Sequence, residues 1–139
     1  MAIAQALCTS FKEELLGGVH DLDTHTIKIA LFTSSASLGA GTTAYSTSNE
    51  VSGSGYSAGG ATLGSPSIDS SGTTAFIDFA DPSWTSATFT AAGALIYNDS
   101  VSDKAIAVLA FGGNFTVTAG TFTIVLPAGD ASNALIRLA

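Results

Sequence analysis

Two histidines and their acidic neighbours are the first residues whose types and spacing could support chemistry. His20 and His25 bracket Asp21 and Asp23. A catalytic triad would need one of these imidazoles beside an activated serine, with a carboxylate behind it. The chain has 18 serines, so the presence of a serine somewhere carries no information. The histidines alone therefore do not indicate catalysis.

The same stretch could be interpreted as a metal site. Asp21, Asp23 and His25 alternate along the chain, and in an extended segment they would share one face. Carboxylate oxygens suit hard cations. However, Asp and Thr also collect at helix-to-strand connections, where they cap helices and form turns. We favour the turn interpretation and predict no metal ligand.

Glycine-rich motifs offer a further possibility. The segment from Gly55 to Gly59, with Ser57 at its centre, matches the G-x-S-x-G nucleophile elbow. That elbow requires a preceding strand, a following helix and a histidine later in the chain. Here both histidines come earlier and no helical pattern follows. We predict no catalytic residue, no cofactor and no enzymatic activity.

Charged residues are scarce. Lys, Arg, Asp and Glu supply 15 of 139 residues, and the net charge is −7. Nucleic-acid binding depends on Lys and Arg that neutralise phosphates, and anionic membranes attract the same residues. The four basic residues are scattered singly, which excludes both partner classes. The single cysteine, Cys8, excludes an internal disulfide.

The scarcity of charge also favours assembly. The cores of protein interfaces are depleted in charged residues, and a surface of Ser, Thr, Ala and Gly is easily desolvated. The alternative is a free acidic monomer that its net charge keeps soluble. We favour a homo-oligomer, either a trimer or a dimer.

The N-terminal residues 1–22 are expected to form a helix or arm. Apolar residues recur every fourth position from Ile3 to Val19, which indicates one helical stripe over residues 3–20. Ser10 and Glu13 have capping-box spacing, so a shorter helix from residue 10 is the alternative. Gly17 and Gly18 would end it. The arm could fold over the end of a sheet or dock on a neighbouring subunit.

From residue 25 onward the apolar period changes to two, which is typical of half-buried strands. Short strands separated by turn residues indicate one all-β domain spanning residues 1–139, an antiparallel sandwich or barrel of jelly-roll type. The predicted strands are Thr26–Thr33, Thr74–Phe79, Thr85–Thr90, Ala94–Asn98, Ala105–Phe111, Thr121–Leu126 and Ala134–Leu138.

Residues 34–73, called the excursion below, interrupt this pattern. Ser, Gly, Thr and Ala make up 30 of its 40 residues, and Glu50 is the only charged residue between Lys28 and Asp69. Structureless loops of this length are uncommon in compact domains. We expect an ordered excursion with short strands near 49–52 and 59–68 that contacts a partner. The candidate partner-interface residues are Phe11, Leu15, Tyr45, Glu50, Val51, Tyr56, Leu63 and Trp84.

Several segments together resemble a family of small virion proteins of tailed bacteriophages. They are Lys28–Ala36, Thr43–Tyr45, Asn49–Gly60, Phe79–Asp81 with Trp84, Gly93–Asn98 and Asp130–Ala134. The resemblance spans nearly the whole chain, and it implies a structural role without catalytic residues.

Within the virion, we expect a capsid decoration or cement protein on the capsid exterior. It would be assembled in the host cytoplasm and would bind across subunits of the major capsid protein. The alternative is a tail, fibre or baseplate component that recognises host glycans through exposed aromatic residues.

Overall fold

The computed structural model describes residues 2–138 as two antiparallel sheets and one short helix, which confirms the all-β prediction. The sheets remain open and do not close into a barrel. The elements are β1 (Ala6–Leu7), α1 (Thr9–Leu16), β2 (Ile27–Phe32), β3 (Ala61–Thr62), β4 (Ser67–Ser71), β5 (Thr74–Asp78), β6 (Ser83–Asn98), β7 (Lys104–Thr123) and β8 (Ile136–Leu138).

The larger sheet has the strand order β1-β7-β6-β2-β3, and the smaller sheet has the order β4-β5-β8. The predicted strand over residues 26–33 is confirmed as β2. The face of β2 that carries Ala30 and Phe32 is buried as well, since these residues are 0% and 1% exposed. The excursion covers this face, where the ring of Tyr45 contacts that of Phe32 edge-on at 6.4 Å.

The helical prediction for residues 3–8 is wrong. Ala6 and Leu7 instead pair with the edge of β7, and Ile3 forms a parallel bridge with Leu38. Ile3 packs so closely on Gly93 that a Cβ there would lie 2.8 Å from its side chain. The helix begins at Thr9, with Cys8 at the N-cap and no side-chain cap. The predicted capping residue Ser10 lies inside the helix, and its hydroxyl donates to the Thr42 carbonyl. The predicted stop at Gly17 is confirmed.

The long hairpin of β6 and β7 contains four of the predicted strands. The predicted turn after Asn98 is confirmed, since Asn98 pairs with Lys104 across it. The predicted turn at Gly112–Asn114 is wrong, because β7 continues along β6 on both sides of it. Gly93 pairs with Ala110 and Ala91 with Phe115, so the four residues 111–114 of β7 lie opposite the single residue Ala92 and shift the register.

Within the excursion, the expected strand near 49–52 is reduced to a single bridge between Glu50 and Phe32. The segment predicted near 59–68 yields β3, which pairs with β2, and the first residues of β4. Among residues 2–138, α1 is the only helix, and its eight residues are too few to span a membrane.

Candidate partner interface

One carboxylate organises the excursion. Glu50 Oε1 accepts a hydrogen bond from the Tyr45 hydroxyl at 2.6 Å. Its Oε2 accepts from the Tyr56 hydroxyl at 2.5 Å and from the Gly59 N–H at 2.8 Å. We call Glu50, Tyr45, Tyr56 and Gly59 the Glu50 hub. Its donors lie five, six and nine residues from Glu50, so the hub fixes the middle of the excursion in one conformation.

The hub is anchored to both central strands. The Tyr56 oxygen accepts the Leu31 N–H of β2 at 2.9 Å. Tyr97 of β6 stacks on Tyr45 with 4.5 Å between ring centroids, and its hydroxyl donates to the Gly59 carbonyl at 2.6 Å. Burial and the neighbouring Glu50 carboxylate raise the pKa of Tyr45 and Tyr56 above the usual tyrosine range. These tyrosines therefore act as neutral hydrogen-bond donors.

Gly60 permits the close approach that this anchoring needs. Its φ of +79° lies in the left-handed region, and a Cβ would lie 1.8 Å from the Ile29 carbonyl oxygen. Only glycine fits such a position. The chain can thus pass directly over β2 before it enters β3.

The structure brings six of the eight predicted interface residues into or beside this region. Tyr45, Glu50 and Tyr56 form the hub. Val51 donates its N–H to the Leu31 carbonyl, Leu63 donates to the Ile27 carbonyl, and Trp84 lies 6.1 Å from the Tyr56 ring. Phe11 and Leu15 lie apart on α1.

Burial divides the same eight residues in a different way. Phe11, Val51, Leu63 and Trp84 are at most 6% exposed and belong to the core of this chain. Leu15, Tyr45, Glu50 and Tyr56 retain partial exposure. The interface role of the eight stays a prediction, and the four buried ones already have an intramolecular role.

The two histidines belong to a second polar network. Asn98, fully buried, accepts the Ser100 N–H through Oδ1, which turns its Nδ2 toward the imidazoles. Nδ2 donates to His20 Nδ1 and His25 Nδ1, each at 3.0 Å. His20 Nε2 in turn lies 2.9 Å from Glu14. Both rings therefore carry their proton on Nε2.

Glu14 connects this network to the hairpin. Lys104 lies 3.3 Å from its second oxygen. Burial acts to raise the pKa of Glu14, but the hydrogen bonds from His20 and Lys104 together hold it below its usual range. The network ties α1 to the β6–β7 turn, which is a structural role.

The acidic stretch before β2 forms the predicted turn. The Asp21 carbonyl accepts the Thr24 and His25 N–H groups, and the Asp21 N–H donates to His25 Nδ1. Hydrogen bonding from Thr24 lowers the pKa of Asp21, and hydrogen bonding to Asp21 raises that of Asp23. Within residues 2–138, no three His, Cys, Asp or Glu side chains are grouped as metal ligands.

The G-x-S-x-G match lies in an irregular loop that leads into strand β3, and no helix follows it. Its glycines serve the hub and the passage over β2. The strand–turn–helix context of a nucleophile elbow is absent from this segment.

The sequence pattern did not reveal a surface at the end of the β6–β7 hairpin that lies away from its turn. We call Ser83–Ala91 of β6 and Phe115–Thr123 of β7 the outer ribbon. One face carries aromatic and aliphatic residues, with Trp84 opposite Phe122 and Phe89 opposite Val117. The other face carries hydroxyls, and Thr90 and Thr116 share a 2.8 Å hydrogen bond.

An aromatic groove of about 250 Å³ opens beside the outer ribbon, lined by Phe111, Phe115, Phe122, Ile124 and Val125. Phe115 is 53% and Val125 is 78% exposed. Residues 82–98 and 105–129 contain no charged side chain. A map of charge along the chain could have revealed this second uncharged region.

A separate apolar surface lies on the smaller sheet. Ile68, Ile77 and Ile136 form one row across its three strands. Beside them, Leu138 and Leu15 help to line a cavity of about 370 Å³. Ile77 and Ile136 are buried in the core, whereas Ile68 and Leu138 are each 56% exposed. These two residues are therefore the part of this small-sheet surface that is open to solvent.

Comparisons with protein-family models, with curated proteins and with solved structures found no match to this chain.

Proposed function

We propose that the chain is a non-enzymatic virion protein that decorates a capsid by binding across subunits of the major capsid protein. The observation that carries this proposal is the small-sheet surface. A monomer gains nothing from leaving Ile68 and Leu138 each 56% exposed around a cavity, whereas a partner subunit would cover them.

The surroundings of this surface suit a shell partner. Every residue of β4 is exposed, and its only charged member is Asp69. A strand of small hydroxyl residues around an isoleucine loses little solvation when a flat protein surface covers it. The sequence resemblance to phage virion proteins supports the same class of partner.

The internal networks support a binding role over a catalytic one. The Nδ1 atoms of His20 and His25 accept from Asn98, and the Glu50 oxygens accept three donors. These groups hold the scaffold rigid. A rigid scaffold limits the entropy lost on binding.

Two of the aromatic side chains on which glycan recognition by a tail component could depend are buried. Trp84 and Tyr97 are 6% and 2% exposed, so neither presents a free ring face to a glycan.

Cosedimentation with capsids assembled without this chain tests the proposal. The wild-type chain is expected to pellet with such capsids. Ile68→Asp combined with Leu138→Asp is expected to stay in the supernatant, because burial of the new carboxylates is unfavourable. Thr73→Asp, at an exposed turn position, is the matched control and should pellet. Failure of the wild-type chain to pellet, or its binding to isolated tails instead, would overturn the proposal.

A further inference from the structure

The outer ribbon has one open edge. β1 pairs with β7 only at Ala107 and Val108. Beyond them, the segment Phe115–Thr123 has β6 on one side and, within the described residues 2–138, no strand on the other. A row of backbone N–H and C=O groups along such an edge is available to another strand.

This edge lacks most of the features that normally prevent edge pairing. Proteins protect exposed edges with charged side chains, prolines, covering elements or bulges. No charged residue occurs from 105 to 129, and the first proline after Pro82 is Pro127. The segment is rich in Thr, Val and Phe, which favour strands. Of the protective features, only a bulge is present, where Ala119 has a φ of +47°.

We propose that Phe115–Thr123 pairs antiparallel with the same segment of a second copy, about a two-fold axis near the bulge. The bulge divides the edge into Phe115–Val117 and Gly120–Thr123. A two-fold axis between these stretches places each one opposite the other stretch of the partner copy. The two outer ribbons then form one four-stranded sheet, which is more stable than an isolated two-stranded ribbon.

Charge selects this edge for contact between identical copies. Each copy carries a net charge of −7, so any self-contact through charged surface is opposed by repulsion. At the outer ribbon, two copies can approach without placing like charges opposite each other. The nearest charged residues along the chain are Asp81 and Asp130, outside both strands.

The apolar face of the ribbon also favours a second copy. In the joined sheet, Phe115, Val117 and Phe122 of the two copies lie on a continuous face. Phe115, now 53% exposed, would then lie beside the Gly120–Thr123 stretch of the second copy. This pairing uses a different surface from the proposed capsid contact, and it does not depend on the virion role.

Sedimentation equilibrium of the full chain tests the pairing. The wild-type chain is expected to show a monomer–dimer equilibrium. Thr118→Lys combined with Thr121→Lys is expected to be monomeric. The lysine side chains are solvated in the monomer, whereas a dimer would bring their like charges together across the axis. Thr73→Lys is the matched control and should dimerise as the wild type does. Circular dichroism and thermal unfolding would show that both variants fold.

Cysteine substitutions locate the axis. Thr118→Cys, next to the axis, is expected to form an intermolecular disulfide, while the buried Cys8 stays unreacted. Thr116→Cys, Thr121→Cys and Thr123→Cys are expected to form none, because each would lie too far along the strand from its counterpart. A wild-type chain that remains monomeric up to about 1 mM, where even weak specific pairing would appear, would overturn the proposal. A dimer that persists in the double lysine variant would also overturn it.

Discussion

Replacing Glu50 by glutamine should loosen the whole excursion. The carboxylate accepts three hydrogen bonds, from Tyr45, Tyr56 and Gly59. Glutamine retains one acceptor oxygen, and its NH₂ group must face a tyrosine oxygen. Hydrogen bonds to a charged acceptor contribute about 1.5–3 kcal/mol, and neutral ones about 0.5–1.5 kcal/mol. Partial relief of the desolvation of Glu50 offsets some of the loss, so we expect a destabilisation of about 2 kcal/mol.

Urea unfolding, together with amide hydrogen exchange of the same variants, measures this effect. Glu13→Gln, at an exposed position of α1, removes the same charge without removing a contact of the hub. It should change the free energy of unfolding by less than about 0.5 kcal/mol. In Glu50→Gln, the amides of Gly59 and Leu31 should exchange faster than in the control.

The same experiment should rank the two tyrosines of the hub by how much stability is lost when each is replaced by phenylalanine. Tyr56→Phe removes a donor to Glu50 and also the acceptor of the N–H of Leu31, and Leu31 is 0% exposed. An unpaired buried N–H costs about 1–3 kcal/mol. Tyr45→Phe removes only one donor and should cost less. Equal stabilities of Glu50→Gln and Glu13→Gln, with unchanged exchange across the excursion, would refute the hub as its organising contact.

Two further predictions concern the buried polar groups. Burial raises the pKa of Tyr56 and Tyr97, so the unfolded chain loses its phenol protons first. Stability should be complete below about pH 10 and should fall above it, by about 1.4 kcal/mol per tyrosine at pH 11; urea midpoints that do not change between pH 8 and pH 11 would contradict this. Asn98→Ala should destabilise the fold by about 2–3 kcal/mol, since it leaves the buried His20 Nδ1 without its donor and the Ser100 N–H without its acceptor. Nitrogen NMR should find both His20 and His25 as Nε2–H tautomers in the wild type, and the Nδ1–H form in either would contradict the assigned network.

The local sequence pattern predicted strands correctly where the residues of the strand itself indicate that it is extended and where it ends. The alternation over Ile27–Phe32 defined β2 correctly, and the turn at Asn98 defined the hairpin. The pattern failed at residues 3–8, where a four-residue apolar spacing suits a helix. There the free edge of β7 and the space above Gly93 stabilise an extended chain, and nothing within the segment itself reveals them.

The Glu50 hub could be predicted only in part. Tyr45, Glu50 and Tyr56 stand out as large or charged side chains in a segment of small ones, and the sequence predicts them as partner contacts rather than as contacts of one another. Their connection to Tyr97 and Leu31 depends on how the excursion folds over β2 and β6. That fold in turn depends on Gly60, one of many glycines in the segment with no distinguishing local signal.

The distribution of charge distinguishes segments that lack charge because they are buried within the chain from segments that lack charge although they are exposed. The inner half of the β6–β7 hairpin is buried, so its lack of charge follows from packing within the chain. The excursion is different, because most of its side chains are exposed although Glu50 and Asp69 are its only charged residues. The outer ribbon resembles the excursion in this respect, because Phe115 is 53% exposed and the threonines around it face solvent. No internal contact requires an uncharged sequence there, and solubility alone would favour lysine or glutamate. The absence of charge on this exposed strand therefore supports the proposed pairing with a second copy.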